Sequence, residues 1–413
     1  MATYDLAIVG GGIGGSALAT VMARDGYSVL LLEQSETYID RVRGEWIAPW
    51  GVAETRRIGL YDLLRSVGGH HVGRHITFDE TRDPTDAEAR ALPLSIFADG
   101  VPGPLCLGHP LHCQTLLDAA GDAGADVRRG AQVTSVIAGG KPRLIFEQEG
   151  QVVEVGARLL VGAEGRVSLV REAAGVTLHQ DKPHHWFAGL LVEGADGWDQ
   201  DLQAIGTEGD FGFLAFPQGD GRVRIYGGYA LNQQHRFRGP DAARQFLDTF
   251  AMRCSPMNQH LVAGRPAGPL YSYINADSWT DEPYAPGVVL VGDAAGWNDP
   301  IIGLGLSITY RDVRLVSELL KSTDAGTTET LRPYGEERRE RMRRLRFAAS
   351  LQAGLDMEFG VAARERRRLH FERSATDPTL GIHGVAVMAG PEAAPAEFFT
   401  EQHRARVLGP LEA

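Results

Sequence analysis

Three features of the 413-residue sequence predict an α/β fold with an inserted β-rich lobe and a helical C-terminal region. The opening "YDLAIVGGGIGGSALATVMARDGYSVLLLEQ" has the order strand, glycine turn, helix, strand. Far downstream, "GVVLVGDAAGWNDPIIGLGLSITYRDVRLVSELLK" returns to a buried strand, a glycine-rich turn and an amphipathic helix. Between them, "FGFLAFPQGDGRVRIYGGY" alternates as two strands around a Gly-Asp-Gly turn. The chain is therefore expected to leave a nucleotide-binding lobe and come back to it.

In chain order, Leu6–Val9 supplies the first strand, "SALATVMARDG" the first helix with Gly26 as its C-cap, and "SVLLLE" the second strand. A second helical passage covers roughly Trp50 to Val67. Residues 68–104, rich in Gly, Pro and Asp, are expected to form loops and short strands. "HCQTLLDAAGDAGADVRRGAQVTSVIA" has the pattern helix, turn, strand, and "RLIFEQEGQVVEVGARLLVGAEG" that of a meander ending in a buried strand. Beyond about Arg332 the chain is helical and arginine-rich, then becomes a Pro/Ala/Gly-rich tail. Interleaved glutamates in "EERRERMRRLR" and "ARERRRLHFERS" point to a solvated face or an oligomer contact.

Composition sets outer limits. An apolar fraction of 43% fits a globular protein, and a net charge of −12 argues against nucleic-acid binding through a basic surface. No stretch has the length and apolarity of a membrane span, and "MATYDLAIVGGG" enters a strand without a secretory pattern. Cys106, Cys113 and Cys254 form no CxxC, so buried thiols in a reducing cytoplasm are expected. The pairs His70–His71 and His184–His185 lack ligand spacing to a Cys or carboxylate, so no metal is expected.

Gly10, Gly12 and Gly15 match GxGxxG between strand and helix. The first glycine permits the tight turn, the second lets a pyrophosphate approach the backbone, and the third lets helix and strand pack closely. The helix N-terminus offers free N–H groups to the phosphates, and Glu33 has the spacing of the acid that binds a ribose hydroxyl. This predicts a Rossmann-like dinucleotide site without separating FAD from NAD.

The second glycine-rich unit separates them. "VGDAAGWNDPIIGLGLS" carries Gly292, Asp293, Pro300, Gly303 and Gly305 in the order of the GD motif, and so resembles flavoprotein monooxygenases of the para-hydroxybenzoate hydroxylase type (class A). "GAEGRVSLVR" is similar to that family's DG motif with Glu164 in place of aspartate, and "DRVRGEWIAPWG" resembles its arginine segment. The resemblance covers residues 1 to about 340. It implies that Asp293 binds the ribityl chain of FAD, that Pro300 lies beside the isoalloxazine ring, and that the backbone from Gly303 through Leu304 to Gly305 meets the pyrimidine end. Arg43 becomes a candidate for the FAD phosphates or ribityl chain, while Arg41 stays divided between that role and a solvated loop. His109 stands where the family has an arginine before the middle helix, with a surface histidine as the rival reading. The expected cofactor set is completed by Ile13, Gly14, Gln34 and Val133. Gly296 and Ser307 depart from the His and Asn of many relatives.

The implied domain plan is a discontinuous FAD-binding domain (1–75, 105–180 and 280–345), a β-rich substrate lobe (76–104 and 181–279) and a C-terminal helical region and tail (346–413). The implied chemistry is reduction of tightly but non-covalently held FAD by NADPH or NADH, then O2 addition to give a C4a-hydroperoxide that hydroxylates or epoxidises an aromatic or natural-product substrate. The flavin carries the chemistry, so no catalytic side chain is named beyond Pro300. Phe213, Phe216, Arg224, Tyr226 and Trp297 are candidates for the substrate pocket, with ordinary sheet packing as their rival, and the chain is expected to be a monomer or homodimer. Alternatives on the same scaffold are a geranylgeranyl-reductase-like saturase, which shares Gly296, and a halogenase, although the halogenase Trp-x-Trp-x-x-Pro segment is absent. A flavin-binding scaffold without turnover is the non-enzymatic alternative.

Overall fold

A computed structural model describes residues 2–42, 44–322 and 327–409. The core of the nucleotide lobe is a parallel run of strands in the spatial order Val288–Leu290, Gln151–Gly162, Ala2–Val9, Val29–Glu33 and Asp126–Arg129. Parallel pairing requires crossovers, and helices Ile13–Arg24 and His109–Asp122 on one face lead into Val29–Glu33 and Asp126–Arg129. Where both faces of the sheet are covered the strands are runs of Val, Leu, Ile and Ala, as in Leu6–Val9 and Val29–Leu32, whereas the edge strand Asp126–Arg129 is half-buried and charged. Helix Gly305–Ser322 closes that layer, burying Ile308, Tyr310, Val313, Val316 and Leu320. The helical passage expected from Trp50 to Val67 is two helices, Pro49–Arg57 and Tyr61–Ser66, broken at Gly59 with φ +68°.

The second sheet is mixed. Its main order is His185–Glu193, Arg222–Tyr229, Phe211–Gly219, Leu202–Glu208 and Arg74–Asp79, the last pair parallel and the others antiparallel. Period-two alternation divides it into two faces. Ile76, Phe78, Phe211, Phe213, Ala215 and Ile225 face away from the nucleotide lobe into a cluster with Phe246 and Phe250. Leu214, Phe216 and the partly buried Ile205 and Tyr226 face inward, against Trp46, Ile301 and Ile302.

The C-terminal part differs from its sequence reading. The segment read as a Pro/Ala/Gly-rich tail folds back as helices Ile382–Ala389 and Glu401–Leu408. Trp50 Nε1 donates to the Val387 carbonyl at 3.0 Å, fastening this segment to the nucleotide lobe. The arginine-rich helix is not simply a solvated face either. Within Thr328–Asp356, Arg338 and Arg341 are buried, and in Val361–Ser374 so is Arg367, which pairs with Asp79 and Glu80. The glutamates of these runs do pair locally with exposed arginines such as Arg343 and Arg368.

Candidate active site

Two adjoining cavities lie on the inward face of the second sheet, the first between it and the nucleotide lobe, the second between it and the C-terminal helices. The first, about 670 Å³, gathers most of the residues singled out for a dinucleotide: Gly10, Gly12, Ile13, Gly14, Glu33, Gln34, His109, Val133, Glu164, Gly292, Asp293, Pro300, Gly303 and Gly305. Gly15 and Leu304 are outside its lining. Gly15 serves by close approach, since a Cβ there would stand 1.9 Å from the Gly10 carbonyl oxygen. Arg43 lies outside the described residues; Arg41 is exposed and lines the cleft.

At one end of the cleft, Gly12 caps helix Ile13–Arg24 without a side chain, and a Cβ on it would meet nothing within 4 Å. The free N–H groups of the first turn therefore face open space suited to phosphate. Glu33 is buried, its carboxylate accepting from Gly11 N at 2.9 Å and Ser35 N at 2.7 Å. The sequence reading missed Tyr38, which lines this end and donates its hydroxyl to the Gly11 carbonyl.

At the other end, Gly305 opens helix Gly305–Ser322, and its Cβ position is also empty. Asp293 is held 3.4 Å from Arg166, whose guanidinium stacks 5.0 Å from the Trp297 ring centroid. Arg166 is a second residue that sequence reasoning did not single out, although it lies inside the quoted DG-like motif. Glu164 accepts from Val170 N and Ser168 Oγ, both at 2.9 Å, so it shapes the DG-like turn. Burial pushes its carboxyl up. Arg171 ties that turn to the GD loop through the Ala294 carbonyl at 3.0 Å.

The GD loop is gripped from behind. Asp312 accepts from Gly292 N at 2.9 Å, and Arg338 donates to the carbonyls of Ala295, Gly292 and Gly296 at 2.7, 3.1 and 3.0 Å. The two departures from the family pattern are structural here. Gly296 has φ +107°, and a Cβ would stand 2.5 Å from the Ser278 carbonyl oxygen. Ser307 is buried, and its Oγ accepts from Ala48 N at 3.0 Å, seating helix Pro49–Arg57.

Beneath Pro300, Asp299 accepts from Ile301 N and sets the Pro300–Ile302 turn. The histidine pair that lacked a carboxylate in sequence meets one in space. His184 Nε2 and His185 Nε2 each lie 3.4 Å from Asp299, while their Nδ1 atoms share a hydrogen bond of 2.8 Å. Asp277 accepts from Asp299 N at 2.8 Å and from Asn298 Nδ2 at 3.1 Å. Burial, reinforced by the Asp299 charge, pushes Asp277 up to about 7. A carboxyl raised from 3.8 to about 7 binds its proton more tightly in the folded state, so its contribution to stability declines as pH rises across that window. Asp277→Asn should remove that component. The gap between variant and parent melting temperatures, measured from pH 4 to 8, should shift in the variant's favour as pH rises; a constant gap contradicts the assignment.

The second cavity, about 750 Å³, shares Trp46, Leu214, Phe216 and Gly303 with the first. Of the residues proposed for a substrate pocket, Phe216 lines both cavities, while Tyr226 and Trp297 line the first. Phe213 lines neither, because it is three residues from Phe216 on one strand and so points to the opposite face. Arg224 also lines neither; it is buried in an ion pair with Glu45 and Asp40.

The family model described as "FAD binding domain" matches residues 3–348. The chain belongs to this family, the para-hydroxybenzoate hydroxylase type of flavoprotein monooxygenase. It is 27% identical over 388 residues to a 3-demethoxyubiquinol 3-hydroxylase of Escherichia coli, covering 90% of this chain and 93% of that one. It is 25% identical over 345 residues to a menaquinone reductase of Mycolicibacterium smegmatis, covering 79% and 78%. In structure it resembles p-nitrophenol 4-monooxygenase PnpA from Pseudomonas putida, with a TM-score of 0.76 at 18% identity over 100% of each chain. The open glycine positions at two helix N-termini, one at each end of a single cleft, fit a long dinucleotide such as FAD. This family member is an FAD-dependent oxidoreductase. Among its described residues, no helix is long and apolar enough to cross a membrane.

Proposed function

We propose that this flavoprotein is a single-component hydroxylase acting on an aromatic or polycyclic natural-product substrate held in the second cavity. The observation that carries the reading is the shared wall. Trp46, Leu214, Phe216 and Gly303 border both spaces, next to Pro300, where the resemblance puts the reactive ring. FAD would supply electron transfer from NAD(P)H to O2, with one oxygen atom passing to the substrate and the other leaving as water.

The chain's own residues would bind, orient and dehydrate. Asp293, freed from Arg166, would take the ribityl hydroxyls, and Glu33 a ribose hydroxyl of the adenosine half. The N-terminus of helix Gly305–Ser322 would favour negative charge at the pyrimidine end of the ring. Trp46, Phe216, Ile301 and Ile302 would keep bulk water from the junction, and the folded C-terminal segment closes the far wall through Val387 and Met388. A volume of about 750 Å³ suits a molecule of several rings.

The purified protein should carry a flavin spectrum and oxidise NADPH or NADH slowly alone. Screening phenolic, indolic and polyketide compounds should reveal one that accelerates both NAD(P)H and O2 consumption and gains one oxygen atom. A protein that binds no flavin ends the proposal. A second reading is favoured by Gly296, as in the reductase-like alternative, and by the presence of a reductase among the relatives: the same cavity would serve a reduction without O2, such as saturation of a double bond. A product heavier by two hydrogens, formed without O2, would select it.

A further inference from the structure

One wall of the second cavity carries a directed chain of hydrogen bonds. Strand Arg74–Asp79 pairs in parallel with Leu202–Glu208, with His75 opposite Gln203 and Thr77 opposite Ile205. All four of these side chains line the cavity. Trp46 Nε1 donates to Gln203 Oε1 at 2.9 Å, Gln203 Nε2 meets His75 Nδ1 at 3.2 Å, and His75 Nε2 meets Thr77 Oγ1 at 3.1 Å.

The direction of the chain follows from its first member. An indole N–H can only donate, so Gln203 must present its oxygen to Trp46 and its amide N–H to His75. His75 Nδ1 therefore accepts, and a neutral imidazole then carries its proton on Nε2. Burial pushes His75 down to about 4, so it is neutral at physiological pH. Thr77 Oγ1 receives the imidazole proton in a hydrogen bond, which leaves its own O–H to donate. Among the described residues no protein acceptor takes that proton, and Thr77 faces the cavity.

We propose that Thr77 is the polar anchor of the substrate site, donating to a carbonyl or phenolate oxygen of an otherwise apolar substrate, with Trp46, Gln203 and His75 as the positioning relay that fixes its donor direction. This rests on the reading of the second cavity as the substrate site. Thr77 lies on the part of the wall that the cofactor cleft does not share. The substrate class is thereby narrowed to molecules with an oxygen acceptor on the portion that reaches Thr77, set among apolar rings. A hydroxyl that could only accept, or a wall of aliphatic residues, would make no such selection.

The test uses the FAD-loaded holoenzyme and two matched probes, 2-acetylnaphthalene and 2-isopropenylnaphthalene, which differ only in C=O against C=CH2. Affinities are measured by calorimetry and by perturbation of the flavin spectrum, and the ratio of the two affinities is compared between proteins. Thr77→Val should shift that ratio roughly tenfold against the ketone, the cost of losing one partner of a buried hydrogen bond. Thr77→Ser should keep the parent ratio. Gln203→Leu should also shift it against the ketone, because His75 is then free to take the other tautomer and accept from Thr77. The carbonyl stretch of the bound ketone, lowered in the parent, should move back up in Thr77→Val, which a merely structural role would not produce. If both probes bind but Thr77→Val leaves the ratio and the stretch unchanged, the anchor is overturned while the cavity assignment stands. If neither probe binds or perturbs the flavin of the parent, the cavity assignment fails and the anchor with it.

Discussion

Arg338→Met should abolish stable FAD retention, the largest single effect expected outside the glycine fingerprint. Arg338 lies in helix Thr328–Asp356 with 1% of its surface exposed. Its guanidinium meets Asp312 at 3.1 Å and donates to three successive stations of the GD loop, the carbonyls of Gly292, Ala295 and Gly296. Methionine fills a similar volume but leaves three inward-facing carbonyls without that donor and Asp312 with one arginine, Arg341, instead of two. Breaking a buried, hydrogen-bonded ion pair costs about 3–5 kcal/mol. The loop so loosened carries Asp293, so a loss of about 3 kcal/mol in its ordering appears as a weakening of FAD affinity of roughly a hundredfold. Desalted variant should show a flavin-to-protein absorbance ratio near zero, and FAD titration should restore it only at much higher concentration. Arg338→Lys should be intermediate, since a point charge satisfies Asp312 but cannot span the carbonyls. A variant that retains FAD at parental affinity would remove Arg338 from this role.

That prediction depends on a residue whose place the sequence concealed. The run "EERRERMRRLR" has the composition of a solvated helix face, and only the fold reveals that Arg338 and Arg341 point inward. Their partners, Asp312 and the Gly292–Gly296 carbonyls, lie tens of residues away, and no local pattern connects them. The cofactor cleft was legible for the opposite reason. Gly10, Gly12, Gly303 and Gly305 each belong to a strand–turn–helix unit whose geometry is local, so spacing alone predicts which positions must be open and which must be close. Phe213 shows an intermediate case. Its strand was legible, but the inward parity is set by pairing with Leu202–Glu208 and Arg222–Tyr229, and a shift of one residue exchanges the faces. His75 and Thr77 were hidden differently, within a stretch whose Gly, Pro and Asp content reads as loops and short strands but gives neither register nor partner. Their strand is held by parallel pairing to a partner more than a hundred residues downstream.

Arg224→Met should destabilise the protein by about 3–5 kcal/mol at neutral pH, with most of the loss returned by adding Glu45→Gln. Arg224 is 1% exposed and donates through Nη2 to Glu45 at 2.9 Å and Asp40 at 2.7 Å, and through Nε to the other Glu45 oxygen. It therefore ties the arm that contains Arg41 to the inward face of the second sheet. Burial pushes the Glu45 carboxyl up, and the Arg224 guanidinium is the principal opposing influence. Without it, the Glu45 carboxyl in the folded state is pushed further up from its ordinary 4.5 than in the parent and keeps its proton over a wider pH interval. The folded variant then binds more protons than the unfolded chain across that interval, so its stability falls as pH rises. Denaturant midpoints should accordingly lie closest to the parent in mild acid and diverge toward neutrality. In Arg224→Met/Glu45→Gln no buried charge remains to be neutralised, and the divergence should vanish. The same pair of variants decides what Arg224 is for. If it holds the arm in place, the double variant recovers FAD binding together with substrate-stimulated NAD(P)H oxidation. If stability and FAD return but stimulation by substrate does not, Arg224 reaches the substrate, against its burial between two carboxylates.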